Sequence, residues 1–278
     1  MLQVHVSSKF KILTAVVLSL VLLSGLGPLA QTRLPVFASP AQDGVVLYFP
    51  LIYKNFVPRA EESIMILTPA SGSRVTSPIH ISGVSDPTFE QNLVVRVLLA
   101  DGTVVAEEPT TIQADTGERG PFELDLPVDL TTEQPIFIQV FASSPRDGGT
   151  THLSSVGVTF TPSGPEDILT RSPYLEEIAI FTPVTGASIS GGTVQVRGFG
   201  LASFEQTLVI EVLDEDGNVV GTEPVIVDAP DLGEPGPFHA EVEYSVGESG
   251  PGRIVVRDVS PAFGGDTHLS SVEVNLAP

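Results

Sequence analysis

One passage of this sequence is written twice, about 115 residues apart, and that repetition limits the fold more than any other feature. Thr68-Pro69 returns as Thr182-Pro183, and Phe89-Glu90-Gln91 as Phe204-Glu205-Gln206. Asp101-Gly102 returns as Asp216-Gly217, Glu108-Pro109 as Glu223-Pro224, and Gly120-Pro121-Phe122 as Gly236-Pro237-Phe238. Thr151-His152-Leu153-Ser154-Ser155 returns as Thr267-His268-Leu269-Ser270-Ser271. The offset drifts only from 114 to 116, so two single-residue insertions align the copies end to end. A period of this length is too long for a solenoid unit and has the size of a small domain. The chain is expected to hold two homologous domains in tandem.

Inside each copy the pattern is that of β-strands. Ile64–Leu67 and Ile178–Phe181 open the copies, and each run stops at Thr-Pro. Leu93, Val95, Val97 and Leu99 recur at every second position, the period of a strand with one buried face. Asp101-Gly102 then supplies the positive φ that a tight hairpin needs. Further strands are expected at Phe122–Val128, Ile136–Ala142 and Val156–Phe160. The second copy repeats the set at 194–196, 208–213, 219–220, 238–244, 254–256 and 272–276. About seven short strands per copy, with turn signals between them, predict an all-β fold of two tandem antiparallel sandwiches of immunoglobulin type.

The first 30 residues read as an export signal: Lys9 and Lys11, then the apolar run Ile12–Leu26, then Gly27-Pro28. Cleavage before Ser39 best satisfies the small-residue rule, giving a signal peptide at 1–38. The alternative is an uncleaved anchor, because the apolar run approaches the roughly 18 residues that span a bilayer. Membrane contact is expected only through this segment, since no second apolar span follows. The complete lack of cysteine excludes disulfides and thiolate metal sites, so stability must come from the cores. Residues 1–38 hold three basic residues and no acid, so removing them would take the net charge from −21 to about −24. Such a charge repels phosphates, and nucleic acid is not an expected partner.

The remaining divisions are a spacer at 39–62, a first domain at 63–162, a linker at 163–176 and a second domain at 177–278. The spacer carries the apolar run Val45–Tyr53, in which Tyr48, Phe49 and Tyr53 are candidates for contact with an envelope component. The other reading packs this run as an edge segment on the first domain. The linker is polar, with Gly164, Pro165 and Pro173, and reads as a stiffened tether.

The repeated motifs resemble the bacterial spore germination immunoglobulin-like domain family. The resemblance rests on Pro69, Gly83, Phe89-Glu90, Gly120-Pro121-Phe122 and Ser144…Asp147-Gly148 in the first copy. In the second it rests on Pro183, Gly198, Phe204-Glu205, Gly236-Pro237-Phe238 and Ser260…Gly264, with Phe263 where Asp147 would align. It implies an extracytoplasmic immunoglobulin-like module without catalytic residues to carry over.

Candidate chemistry is sparse. Asp214-Glu215-Asp216-Gly217-Asn218 places carboxylates around a glycine as a calcium loop does, but the first copy keeps the turn and loses the carboxylates, so a hairpin turn is expected. His152 and His268 are expected to cap loops at the start of a strand. The neighbouring serines point to the opposite face and are poorly placed as nucleophiles. His80 and His239 have no counterparts in the other copy, so neither a histidine cluster nor a metal site is expected. Phe89, Glu90 and Gln91, with Phe204, Glu205 and Gln206, precede a long strand. Either the phenylalanines plug the sandwich ends while Glu and Gln satisfy loop amides, or these loops bind a ligand. The absence of Trp and the few Tyr weaken a carbohydrate platform.

The sequence thus predicts an exported, non-catalytic structural or adhesive module at the bacterial cell envelope, with no cofactor. Its partner would be an envelope protein or a wall component. A module binding wall glycan or a partner protein is the alternative reading, and a secreted hydrolase the third.

Overall fold

The structure is a computed structural model that describes residues 60–202, 205–261 and 264–278. The expected signal peptide, the contact residues Tyr48, Phe49 and Tyr53, and Phe204 and Phe263 lie outside the described residues.

Among the described residues each copy forms eight strands rather than seven. The first copy contributes β1 (Ile64–Thr68), β2 (Arg74–Val75), β3 (Ile79–Ser85), β4 (Asn92–Leu99), β5 (Val104–Thr111), β6 (Gly120–Leu126), β7 (Gln134–Ser143) and β8 (Thr150–Phe160). The second contributes β9 (Ile178–Thr182), β10 (Ser188–Ile189), β11 (Thr193–Gly200), β12 (Thr207–Leu213), β13 (Val219–Ile226), β14 (Gly236–Glu243), β15 (Gly250–Val259) and β16 (Asp266–Leu276). The extra strand in each copy is only two residues long, too short for a periodic signal.

Two sheets face each other in each copy. In the first, β1-β3-β6 covers the sheet built from β5, β4, β7 and β8. In the second, β9-β11-β14 covers β13, β12, β15 and β16. The alternating residues read from the sequence meet between the sheets: Ile64, Ile81, Val95, Val97, Phe122, Ile138 and Phe160 in one core, and Ile178, Val196, Ile210, Phe238, Ile254 and Leu276 in the other. The repeated glycines have a packing reason. Gly83 lies opposite Phe122 across β3–β6, and a Cβ on it would sit 1.9 Å from the Met65 carbonyl oxygen. Gly198 lies opposite Phe238 in the same way, with the Ala179 carbonyl 2.4 Å from such a Cβ. The Gly and Gly-Pro-Phe motifs therefore place an aromatic ring directly over bare backbone.

The two copies do not stop at their own edges. The last strands, β8 and β16, are 11 residues each. Within its own copy, β2 covers only Thr159 and Phe160 of β8, and β10 covers only Asn275 and Leu276 of β16. An open strand edge is a row of unsatisfied N–H and C=O groups. These two edges meet in their earlier halves: β8 and β16 pair antiparallel, with Leu153 opposite Leu269 and His152 opposite Ser270. The pairing joins both copies into one sheet of ten strands. Because Leu153 and Leu269 are the same position of the repeat, a local two-fold axis runs between them.

The stretch 163–176 runs along the first copy by hydrogen bonds instead of crossing open solvent. Ala70 donates to Leu169 O at 2.9 Å, Arg171 to Leu67 O at 2.9 Å, and Arg74 and Asp167 bond each other's backbone in both directions.

Candidate functional site

The seam between the copies is built from the repeated Thr-His-Leu-Ser-Ser motif. Alternation along a strand sends leucine to one face and histidine to the other. On the leucine face, Leu153 and Phe141 of the first copy pack with Leu213, Val255 and Leu269 of the second. At the strand edges, Ser155 Oγ donates to Thr267 O at 2.6 Å, and Ser271 Oγ donates to Thr151 O at 2.7 Å. These two bonds are related by the local two-fold. Ser155 and Ser271 are thus engaged in holding the seam, whereas Ser154, two residues on from His152, shares the histidine face, against the expectation that the neighbouring serines point to the opposite one.

On the histidine face, His152 and His268 meet edge to face, with ring centroids 5.3 Å apart. Two carboxylates complete the group. Glu62 stands two residues before β1 and Glu176 two residues before β9, and both are buried. His152 Nε2 lies 2.5 Å from Glu62 Oε1 and 3.8 Å from Glu176 Oε1. His268 Nε2 lies 3.3 Å from Glu176 Oε1 and 3.7 Å from Glu62 Oε2. Backbone donors hold the carboxylates crosswise: the N–H of Glu177 donates to Glu62 Oε2 at 3.0 Å, and the N–H of Ser63 donates to Glu176 Oε2 at 3.1 Å. Ser154 Oγ adds a weaker bond to Glu62 Oε1 at 3.3 Å.

The electrostatics follow from this packing. Burial by itself would make the Glu62 carboxyl harder to ionise. The charge on His268, the hydrogen bond and charge of His152 and the Glu177 N–H outweigh that and hold it well below the ordinary carboxylate range. Burial would likewise make His268 harder to protonate, but Glu62, the hydrogen bond to Glu176, and the charges of Glu177 and Glu176 raise its pKa to about 9.

A second polar contact crosses the seam without two-fold symmetry. Arg253 of the second copy is fully buried and donates from Nη2 to Asp147 Oδ2 of the first at 2.9 Å. By the alignment of the copies, Phe137 takes the place of Arg253 and Phe263 the place of Asp147. Burial opposes ionisation of Asp147, while the Gly149 N–H, the Ser144 hydroxyl and Arg253 together lower its pKa. Arg146 adds a partly exposed pair with Glu273 at 2.7 Å.

Several sequence expectations are corrected here. His152 and His268 lie within β8 and β16 and face each other across the seam, so they do not cap loops and a histidine cluster is present. Each copy holds one member, which is why neither copy alone reveals it. Phe89 is 57 % exposed and does not plug the sandwich end. Gln91 is the anchoring residue of that loop, donating from Nε2 to Asp115 O at 3.1 Å and Glu118 O at 3.0 Å, carbonyls rather than amides. Gln206 repeats one such bond to Asp231 O at 2.9 Å. Glu90 and Glu205 take left-handed backbone conformations, with φ of 54° and 47°. Asp214 closes a hairpin turn as expected, its Oδ1 accepting from the N–H groups of Asp216 at 3.0 Å and Asn218 at 2.8 Å. Glu62 and Glu176 were missed as members of the buried cluster because they read as spacer and linker. The usable signal was that the repeat extends outward to include them, since Glu62-Ser63-Ile64 parallels Glu176-Glu177-Ile178.

Two grooves flank the cluster. One, of about 430 Å³, lies between the copies and reaches His152 and Phe89 on one side and Thr185 and Glu273 on the other. The second, of about 280 Å³, reaches His268, Glu177 and Ser155.

Among solved structures, the chain is similar to red sea bream transglutaminase at 8% identity and a TM-score of 0.27, covering 78% of this chain and 31% of that one. It is similar to dimeric latent PorU from Porphyromonas gingivalis at 10% identity and a TM-score of 0.23, covering 78% and 24%. It is also similar to the titin domains z1z2 solved with telethonin, at 11% identity and a TM-score of 0.20, covering 80% and 98%. The chain thus spans about a third and about a quarter of the first two proteins, and likenesses this faint carry no functional information. No curated protein sequence matches the chain. Residues 63–149 and 177–265 each match the immunoglobulin-like domain of bacterial spore germination. All four residues of the buried cluster fall just outside those segments: Glu62 and Glu176 before them, His152 and His268 after them. With the motifs in order twice and the sandwich formed twice, the chain belongs to the family of immunoglobulin-like domains of bacterial spore germination, in two tandem copies.

Proposed function

We propose that this protein is a non-catalytic structural or adhesive module working outside the cytoplasm at the bacterial cell envelope, and that it presents its two domains as one rigid body. The observation that carries this reading is the continuous sheet through β8 and β16, backed by a buried apolar strip and a buried ion pair. Two domains on a free tether would lose orientational entropy whenever both engaged a surface. Two domains fused edge to edge have given up that freedom already, which favours simultaneous contact. Family membership supports a non-enzymatic role, and the seam hydroxyls are committed to cross-copy hydrogen bonds.

Attachment in this reading comes from the apolar run around Tyr48, Phe49 and Tyr53, because a strongly acidic chain is repelled by anionic wall polymers. Fractionation of cells carrying the full chain and its Tyr48→Ser/Tyr53→Ser variant tests it. The variant is expected to shift from the envelope to the soluble fraction. Unchanged retention would overturn the attachment mode.

A ligand-binding role is the second reading, favoured by the exposure of Phe89 beside the groove between the copies. Loss of saturable binding to isolated envelopes in Phe89→Ala or Glu90→Ala/Glu205→Ala, with the tyrosine variant still bound, would select it.

A further inference from the structure

We infer that the seam holds a divalent transition-metal ion of the zinc class, bound by Glu62, His152, Glu176 and His268. The donor set is two imidazole nitrogens and two carboxylates, with one ligand atom from each residue and all four atoms within 4.8 Å of one another. Imidazole with carboxylate suits zinc and its first-row neighbours, whereas calcium and magnesium take all-oxygen sets.

The spacing fits a tetrahedron. Zinc bonds nitrogen and oxygen at roughly 2.0–2.1 Å, which makes each edge between ligand atoms about 3.3 Å. Glu176 Oε1 stands 3.3 Å from His268 Nε2 and 3.8 Å from His152 Nε2. The separation between His152 Nε2 and Glu62 Oε1 is a direct 2.5 Å hydrogen bond that would open by less than 1 Å as the ion replaces the shared proton.

The surroundings are those of a formed site. The Glu177 carboxylate lies 3.9 Å from Nδ1 of His268, on the side of the ring away from the centre, leaving Nε2 directed inward. Each glutamate keeps its other oxygen on a backbone N–H from the opposite copy, which fixes the carboxylate orientation. Two ionised carboxylates and two neutral imidazoles leave a charge of minus two, which one divalent ion balances. The grooves on either side reach His152 and His268 and give the ion a route in.

The symmetry carries a further consequence. Each copy supplies one glutamate ahead of its first strand and one histidine at the start of its last strand, so each copy alone holds half of the ligand set. The ion would therefore bolt the seam shut, and its affinity would depend on both copies being docked.

The test uses the full chain, stripped with a chelator and titrated with Zn²⁺ alone by calorimetry, and with Co²⁺ as a spectroscopic probe. One ion per chain, intense visible absorption of tetrahedral cobalt, and a rise of several degrees in Tm with Zn²⁺ are expected. His152→Gln/His268→Gln and Glu62→Gln/Glu176→Gln should each weaken binding by at least a hundredfold. Unchanged zinc affinity in both double variants would overturn the assignment. So would absence of saturable binding to the unsubstituted protein, which makes the result independent of whether any variant folds.

Discussion

Leu153 and Leu269, the same residue of the repeat in its two copies, stand opposite each other in the antiparallel pairing of β8 with β16. One leucine in each domain is thus the partner of itself, and the two-fold relation seen in closed dimers appears inside a single chain. Both leucines are buried in the strip with Phe141, Leu213 and Val255. Burying a leucine is worth about 1.5–3 kcal/mol, and burying an unpartnered carboxylate in its place is costly. Leu269→Asp is expected to part the copies while leaving each sandwich folded. Small-angle scattering should show a larger, more variable particle, with the β-type circular dichroism spectrum kept. An unchanged scattering profile would mean that the seam does not depend on this pair.

The ion pair between Asp147 and Arg253 is buried on both sides, so removing one partner should hurt more than removing both. Asp147→Ala leaves a fully buried guanidinium with only the 3.5 Å contact to Glu273, and is expected to cost about 3–5 kcal/mol. Asp147→Leu/Arg253→Met should recover most of that loss. Urea unfolding of the single and double variants decides the matter, and an additive double variant would contradict it.

At the Phe89-Glu90-Gln91 loop, stability and exposure separate the three residues. Gln91→Ala removes the donor that serves two carbonyls and should cost about 1–3 kcal/mol. Glu90→Gly relaxes a left-handed backbone and should be neutral or stabilising by about 1 kcal/mol. Phe89→Ala should leave Tm within a degree or two, since the ring is mostly in solvent. A large loss from Phe89→Ala would show that the ring packs after all.

The buried cluster makes a signed prediction for pH in the metal-free protein. His268 faces Glu62, Glu176, Glu177 and His152, and its folded pKa of about 9 lies above the ordinary value of about 6.5. The folded state therefore binds the proton more tightly, and this contribution is fully present below about pH 6.5 and is lost as pH rises through about 9. Asp147 and Glu62 work in the other direction. Their folded pKa values are lowered, so their contributions are present above the ordinary carboxylate range and are lost as pH falls below it. Urea midpoints measured in chelator should fall on both flanks, and His268→Gln should flatten the alkaline one. A midpoint constant from pH 6 to 10 would contradict the arrangement.

The family fold was legible in the sequence because its determinants are local. Alternation placed Val95, Val97, Ile138 and Ile254 in the cores, Asp101-Gly102 and Asp216-Gly217 marked hairpins, and the Gly and Gly-Pro-Phe motifs marked where a ring lies on bare backbone. The repeat itself determined that the fold occurs twice. The sequence could not say what the two copies do to each other. His152 and Glu62 are 90 residues apart, and His152 and His268 are 116 apart, so no local period links them. They meet only because β2 and β10 leave half of each final strand uncovered, and an open edge is satisfied most readily by an identical edge in the neighbouring copy. Propensity and periodicity fixed each sandwich; the pairing of two unfinished edges created the seam, and with it the buried charges of Glu62, Glu176, His268, Asp147 and Arg253 that meet across it.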